Sequence, residues 1–220
     1  MMKPSNTQSY IPALKYHALT QYYDQVVSLT TREATFKSAL INQTTPLAGE
    51  QLLDIGCGTG TLTQMFAERE PSLTITGLDA DPDALEIARN RLTPVNQCVS
   101  LQQGFAQDMP FKSATFDVAV SSLFFHHLNR RQKLEVLNEI HRVLKPGGQL
   151  HIADWGKPSS SIQRGLFLLV QCLDGFETTQ DSVEDLLPVL LEEAGFVDVA
   201  SGACIPTILG TIRLLQGKKS

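Results

Sequence analysis

One aspartate and three closely spaced glycines stand out as residues able to do chemistry. Asp54 closes an apolar run through Leu52 and Leu53, and Gly56, Gly58 and Gly60 follow, with Cys57 and Thr59 between them. Glycine has no side chain, so such a loop turns sharply and lets a ligand approach the backbone. The stretch from Thr61 to Glu68 reads as a helix start, whose unsatisfied N–H groups would point at whatever the loop holds. One unit further along, a second strand-like run ends at Asp79. A carboxylate there is placed to accept hydrogen bonds from the two hydroxyls of a ribose. The two features together point to a nucleoside-containing ligand.

The elements that must position these residues alternate in type. Strands are expected near 51–55, 73–79, 98–103, 116–121 and 148–154, and helices near 60–70, 82–92 and 130–144. Asp81 is an N-cap candidate with Pro82 in the first helical position, a favoured pairing. Lys145-Pro146-Gly147-Gly148 is expected to stop the third helix, because proline cannot continue it and glycine permits a turn. Alternating strands and helices imply a parallel sheet covered on both faces. Around this core of 50–155, residues 11–43 read as an N-terminal helical cap with Tyr16, Tyr22 and Tyr23 on its apolar side. Residues 160–195 read as two further helices split near 173–177, and strands follow near 197–204 and 207–215. No linker or repeat divides the chain, so 1–220 is expected to be a single domain.

The glycine spacing separates nucleotide sites. The dinucleotide fingerprint is G-x-G-x-x-G; here the third glycine comes one residue early, at Gly60, which disfavours a nicotinamide-dependent oxidoreductase. No Lys-Ser/Thr follows for a triphosphate cradle. Asp54, the Gly-x-Gly-x-Gly loop and Asp79 resemble the class I S-adenosylmethionine-dependent methyltransferases. The resemblance runs on through Gly104-Phe105-Ala106-Gln107-Asp108-Met109-Pro110-Phe111, then Phe116-Asp117-Val118-Ala119-Val120-Ser121, and then 140–150, covering roughly residues 50 to 155. It implies a Rossmann-like α/β fold, a doubly wound seven-stranded sheet that is mostly parallel with an antiparallel last strand. Tyr22-Tyr23-Asp24 resembles an element of the quinone-biosynthesis-like branch that closes over the cofactor.

The resemblance also implies roles for single residues. The cofactor is S-adenosylmethionine. Asp54 orients the loop and reaches toward the methionine ammonium, Gly56, Gly58 and Gly60 turn their backbone to the ligand, and Asp79 takes the ribose. Tyr23, Cys57, Ala80, Phe105, Ala106, Asp108 and Ser121 complete the expected cofactor set, with Cys57 a small filler rather than a nucleophile. Phe105 departs from the family, which commonly carries an acid there for the adenine amino group; a phenyl ring accepts no such bond. His126 and His127 follow the fourth strand, beside the expected methyl group, and Asp154 ends the fifth. Each is a candidate general base for an acceptor that must lose a proton, since imidazole titrates near neutrality. The alternative for the histidines is that one packs under the cofactor and the other caps the next helix. The Asn/Asp-Pro-Pro-aromatic and Pro-Cys motifs of base-modifying methyltransferases are absent. A noncatalytic cofactor-binding protein on the same fold is the competing reading.

Composition bounds the partners. The chain has 220 residues, 18 basic and 23 acidic, for a formal charge of -5. No basic block tracks phosphates, so no nucleic acid is expected. The N-terminus lacks the apolar core of a signal peptide, and the run at 166–170 is too short to span a bilayer. The four cysteines are scattered, with no C-x-x-C pair, and no metal site is expected. The expectation is a cytoplasmic enzyme with a small-molecule methyl acceptor and with homodimerisation left open.

Overall fold

The computed structural model describes residues 32–95 and 97–220. Seven strands are found among them: β1 (Gln51–Ile55), β2 (Thr74–Asp79), β3 (Val99–Gln103), β4 (Phe116–Ser122), β5 (Leu144–Gly156), β6 (Phe196–Pro206) and β7 (Thr211–Lys219). They form one sheet in the order β3-β2-β1-β4-β5-β7-β6. Neighbours from β1 to β5 pair parallel, and β7 pairs antiparallel with both β5 and β6. The expected mostly parallel sheet with an antiparallel last strand is therefore present.

The helices are α1 (Glu33–Thr44), α2 (Thr61–Arg69), α3 (Pro82–Leu92), α4 (Arg130–Val143), α5 (Ser161–Asp174), α6 (Phe176–Glu184) and α7 (Leu187–Glu193). Alternate strand residues fall in different apolar clusters: Leu53, Ile55 and Ala119 in one, Leu52, Val118 and Val120 in the other. Successive strand side chains point to opposite faces, so the clusters lie on the two sides of the sheet. Val136, Leu137 and Ile140 of α4 with Leu190 and Leu191 of α7 close the first. Phe36 and Leu40 of α1, Phe66 of α2 and Phe167 of α5 close the second. From β1 the chain moves outward to β2 and β3, then returns to β4 on the other side. The carboxyl ends of β1 and β4 are thus a topological switch point, the usual ligand position in such sheets.

Three expectations need correction. Lys145-Pro146-Gly147-Gly148 does not separate a helix from a strand. It lies inside β5 as an irregularity, since Phe116 pairs with Leu144 and Val118 with Gln149; Gly147 takes φ 78° there. Residues 160–195 hold three helices rather than two: Gly175 splits the first pair, and Asp185 in the left-handed region then ends α6 just before Pro188 starts α7. The closing hairpin lies further along than expected, with its turn at 207–210 held by Thr207, whose amide and hydroxyl both donate to the Gly210 carbonyl. The expected cap over 11–43 is seen only as α1; its remainder, with Tyr23, lies outside the described residues. No helix among the described residues is long and apolar enough to cross a membrane.

Candidate functional site

The loop after β1 is shaped by its own hydrogen bonds. Gly56, Gly58 and Gly60 adopt φ of 67°, 52° and 79°, values that exact a steric cost from any residue with a Cβ. The amides of Gly56 and Cys57 donate to the Leu78 carbonyl at 2.8 and 3.1 Å, and the Gly60 amide donates to the Cys57 carbonyl at 2.9 Å. The Gly58 amide donates to Asp79 Oδ2 at 2.8 Å. The amides of Gly56 and Gly58 thus face β2, and that of Gly60 turns back into the loop. What the loop offers outward is bare Cα surface, because a Cβ on Gly58 would meet nothing within 4 Å. On the other flank a Cβ on Gly56 would lie 2.5 Å from the Phe124 ring, so the turn after β4 presses directly on the loop. Helix α2 begins at Gly60, which offers no side-chain cap, and the Thr63 amide of its first turn bonds the Asp54 carboxylate.

Asp79 ends β2 and is held by backbone amides. Oδ2 accepts the Gly58 amide and Oδ1 the Asp81 amide, at 2.8 and 2.9 Å. The Ala80 amide bonds the carboxylate as well, so three of its roughly four acceptor positions are used. Burial raises its pKa, against the lowering effect of those amides. Asp81 caps α3 as expected, accepting from Asp83 and Ala84. Ala80 is half-buried beside Asp79, with its carbonyl 3.4 Å from Gln103 Nε2.

Asp54 is placed differently from expectation. Its side chain is buried under the loop, and its Oδ2 accepts the Thr63 hydroxyl at 2.6 Å. The contact staples β1 to α2 across the glycines rather than opening toward an ammonium. Burial pushes its carboxyl up to about 6, with Thr63 and the Lys37 charge pulling the other way. Cys57 is buried with its thiol pKa raised, first by burial and then by Asp54 and Asp79. Its Sγ fills the space at the Cα of Gly77, so it is a filler, as expected. Ser121 is fully buried and donates to the Ile55 carbonyl at 3.0 Å. It holds the end of β1 from within the fold, a correction to its place among the cofactor contacts.

The segment after β3 turns back on itself through a bond from the Asp108 amide to the Phe105 carbonyl at 3.1 Å. Ala106 and Met109 enter the core, while Phe105 is 39% exposed. Phe105 therefore does not turn into the core, and Asp108 is exposed as well. Two residues of α4 lock the segment. Glu139 accepts the Met109 amide at 2.9 Å, and Arg142 donates to the carbonyls of Met109 and Phe111 at 3.0 and 2.7 Å.

A buried polar cluster joins the ends of β4 and β5. His126 Nδ1 and Asp154 Oδ1 are 2.7 Å apart. Asp154 Oδ1 also accepts the Trp155 amide at 2.7 Å, and Oδ2 accepts the amides of Phe124 and Phe125 at 3.0 and 2.7 Å. All four acceptor directions of the carboxylate are therefore filled. Burial alone would raise its pKa, but His126 and the backbone amide hold the carboxyl below its ordinary value. A saturated, low-pKa carboxylate does not take a substrate proton, so Asp154 is corrected from candidate base to the residue that orients His126. His127 lies against His126 with ring centroids 3.9 Å apart and the planes tilted by 45°. Burial, and then His126, push its pKa down to about 3, against the pull of Asp154, so it stays neutral at physiological pH. Neither histidine caps α4; Asn129 does, through a capping box with Gln132.

Sequence reasoning missed the residues that hold the site from behind: Thr63, Phe124, Glu139, Arg142 and Arg91. For Arg91 a signal existed. In a helix starting at Pro82, Ala88, Arg91 and Leu92 share one face.

Comparison with known proteins agrees with this fold. Residues 52–148 match the family described as methyltransferase domain. A demethylmenaquinone methyltransferase of Symbiobacterium thermophilum is 32% identical over 172 residues, covering 75% of this chain and 67% of that protein. A ubiquinone/menaquinone biosynthesis C-methyltransferase of Ruegeria sp. is 35% identical over 132 residues, covering 59% of this chain but only 52% of that protein. The chain thus spans about half to two thirds of these relatives. The crystal structure of an S-adenosylmethionine-dependent methyltransferase from Aquifex aeolicus superposes with a TM-score of 0.64 at 18% identity, over 88% of this chain and 92% of that one.

Proposed function

The chain belongs to the class I S-adenosylmethionine-dependent methyltransferases, in its quinone-biosynthesis-like branch, and on that premise we propose that it methylates an aromatic hydroquinone or phenol. The observation that supports this reading is the His126–Asp154 pair just past the carboxyl end of β4. An activated aromatic ring becomes a strong nucleophile only when its hydroxyl loses a proton, and a buried, oriented imidazole is a suitable acceptor for it. The relatives named for quinone methylation support the same class of acceptor.

The residues present fit the cofactor. The open Cα surface at Gly58, the start of α2 and the remaining acceptor capacity of Asp79 would take its methionine portion and ribose. Bound there, S-adenosylmethionine supplies a methyl group already activated on sulfonium. The protein's own work is then to hold the acceptor in line, keep water out and accept a proton; orientation alone contributes about 7–11 kcal/mol. Asp154 accepts the Nδ1 proton of His126 and so fixes the tautomer whose Nε2 is basic. The same carboxylate stabilises the imidazolium once the hydroxyl proton arrives. Trp155 lies edge-on to His126, with centroids 6.5 Å apart, and gives the apolar wall an aromatic acceptor needs.

Phe105, exposed beside the end of β2 and lacking any acceptor, would read adenine by stacking. Removing the 6-amino group from the purine of S-adenosylhomocysteine should therefore change affinity by less than about threefold, well under the cost of losing a hydrogen bond to a charged group. Calorimetry with that analogue checks this, and a large loss would assign the amino group to Asp108 instead. In this reading the enzyme works in the cytoplasm, with no nucleic-acid partner.

The test of the acceptor class is direct. Incubation with the methyl donor and a panel of hydroquinones, phenols and amines should give singly methylated hydroquinone or phenol, detected by mass spectrometry. Methylation confined to amines would reject the proposal.

A further inference from the structure

Arg91, on the last turn of α3, lies against the glycine loop. Its Nη1 is 2.9 Å from the Thr59 carbonyl and 2.7 Å from the Thr59 hydroxyl, and it also meets the Thr61 hydroxyl. A guanidinium nitrogen carries two protons, so these three oxygens share them. The same helix face touches the loop through apolar atoms: a Cβ on Gly60 would stand 3.1 Å from both Ala88 Cβ and Leu92 Cδ1.

The loop is therefore gripped at three points. Asp79 holds the Gly58 amide, Ala88 and Leu92 bear on Gly60, and Arg91 holds Thr59 and Thr61. All three grips lead back to one segment. Asp79 accepts the Asp81 amide, Asp81 caps α3, and α3 carries Ala88, Arg91 and Leu92. A loop of three glycines has large conformational entropy when free, and a binding site built on it gains affinity from being held in shape beforehand.

Resting on the cofactor reading above, we propose that Arg91 is a positioning residue for the methyl donor. It contacts no ligand; it fixes the peptide planes at Thr59 and the first turn of α2 before the ligand arrives. The polar clamp is specific in its requirements: a donor at the tip of a long side chain, and the hydroxyl of Thr61 as one acceptor.

The experiment compares Arg91→Met, Arg91→Lys and Thr61→Val with the parent, titrating S-adenosylhomocysteine by calorimetry after thermal melts establish folding. Arg91→Met should weaken affinity about tenfold, the scale of one lost charge-assisted hydrogen bond. Arg91→Lys, which keeps donors at the tip, should recover most of that loss. Thr61→Val should weaken binding on its own yet add little in the Arg91→Met background, because both act through one contact. A folded Arg91→Met protein with parental affinity would overturn the proposal, as would a lysine variant no better than methionine or fully additive losses. If Arg91→Met fails to fold, the lysine and Thr61 variants decide by the same criteria. A parent that binds no S-adenosylhomocysteine would refute the cofactor reading itself, an outcome separate from an unaffected variant of a parent that binds.

Discussion

Replacing His126 with glutamine lowers the methyl-transfer rate by about 10²–10⁴-fold, the usual contribution of a positioned general base, and leaves affinity for S-adenosylhomocysteine within about twofold. Glutamine keeps polarity and approximate length but takes no proton. Asp154→Asn should fall by a similar factor for another reason. Its amide would meet donors where the carboxylate meets acceptable partners, at His126 Nδ1 and at the amides of Phe124, Phe125 and Trp155. Forced to accept at Nδ1, the imidazole would carry its proton on Nε2, the wrong nitrogen for a base. The double variant should be hardly slower than either single one, because the two residues act as one unit. Rates measured across pH with the hydroquinone or phenol acceptor check this. His127→Gln should retain most of the rate, since a group held neutral down to about pH 3 is a weak base. Parental rate and pH profile in His126→Gln would leave positioning as the whole of catalysis.

Asp54→Asn is expected to stabilise the ligand-free protein near neutral pH while weakening it as an enzyme. In the fold the carboxyl's pKa is raised to about 6 by burial, against roughly 4 in an unfolded chain. The folded state therefore binds the proton more tightly. The stability this contributes is fully present below the unfolded pKa and is lost as pH rises through the folded one. At pH 7 the ionised carboxylate costs about 3 kcal/mol relative to an acid with an ordinary pKa. Asparagine keeps an oxygen for the Thr63 hydroxyl and carries no charge, so it should recover about 1–3 kcal/mol of that cost at pH 8, and less as the pH approaches 4. Denaturant melts at several pH values measure the difference. The same substitution removes a negative charge from beneath the loop and should weaken a cationic ligand. An asparagine variant that is less stable than the parent at pH 8 would show that the charge is compensated within the fold.

Much of this was legible in the sequence because it is local. The strand ending at Asp54, the glycines, Asp79 and the Asp81-Pro82 helix start all follow within about thirty residues, and local spacing dictates their backbone. The order of alternating elements also fixed the sheet's class. What sequence could not supply were directions and non-local partners. Whether the amides of Gly56 and Cys57 point outward or toward Leu78 depends on where β2 lies. The pairing of His126 with Asp154 spans 28 residues and exists because β4 and β5 are sheet neighbours. Ser121 has the right place on β4, but strand alternation turns it inward. The Lys-Pro-Gly-Gly segment carries sound stop signals, yet pairing of Leu144 with Phe116 draws it into the strand as an irregularity.

The central claim is that the carboxyl edge of β1 and β2 is a methyl-donor site organised by Asp79. Calorimetric titration of the purified chain with S-adenosylhomocysteine, alongside a folded Asp79→Ala variant, tests it most directly. The parent should bind saturably with one site per chain, and the variant should be weaker by about 1.5–3 kcal/mol, the scale of hydrogen bonds to a charged group. No binding by the folded parent, or equal affinity in the Asp79→Ala protein, would contradict it.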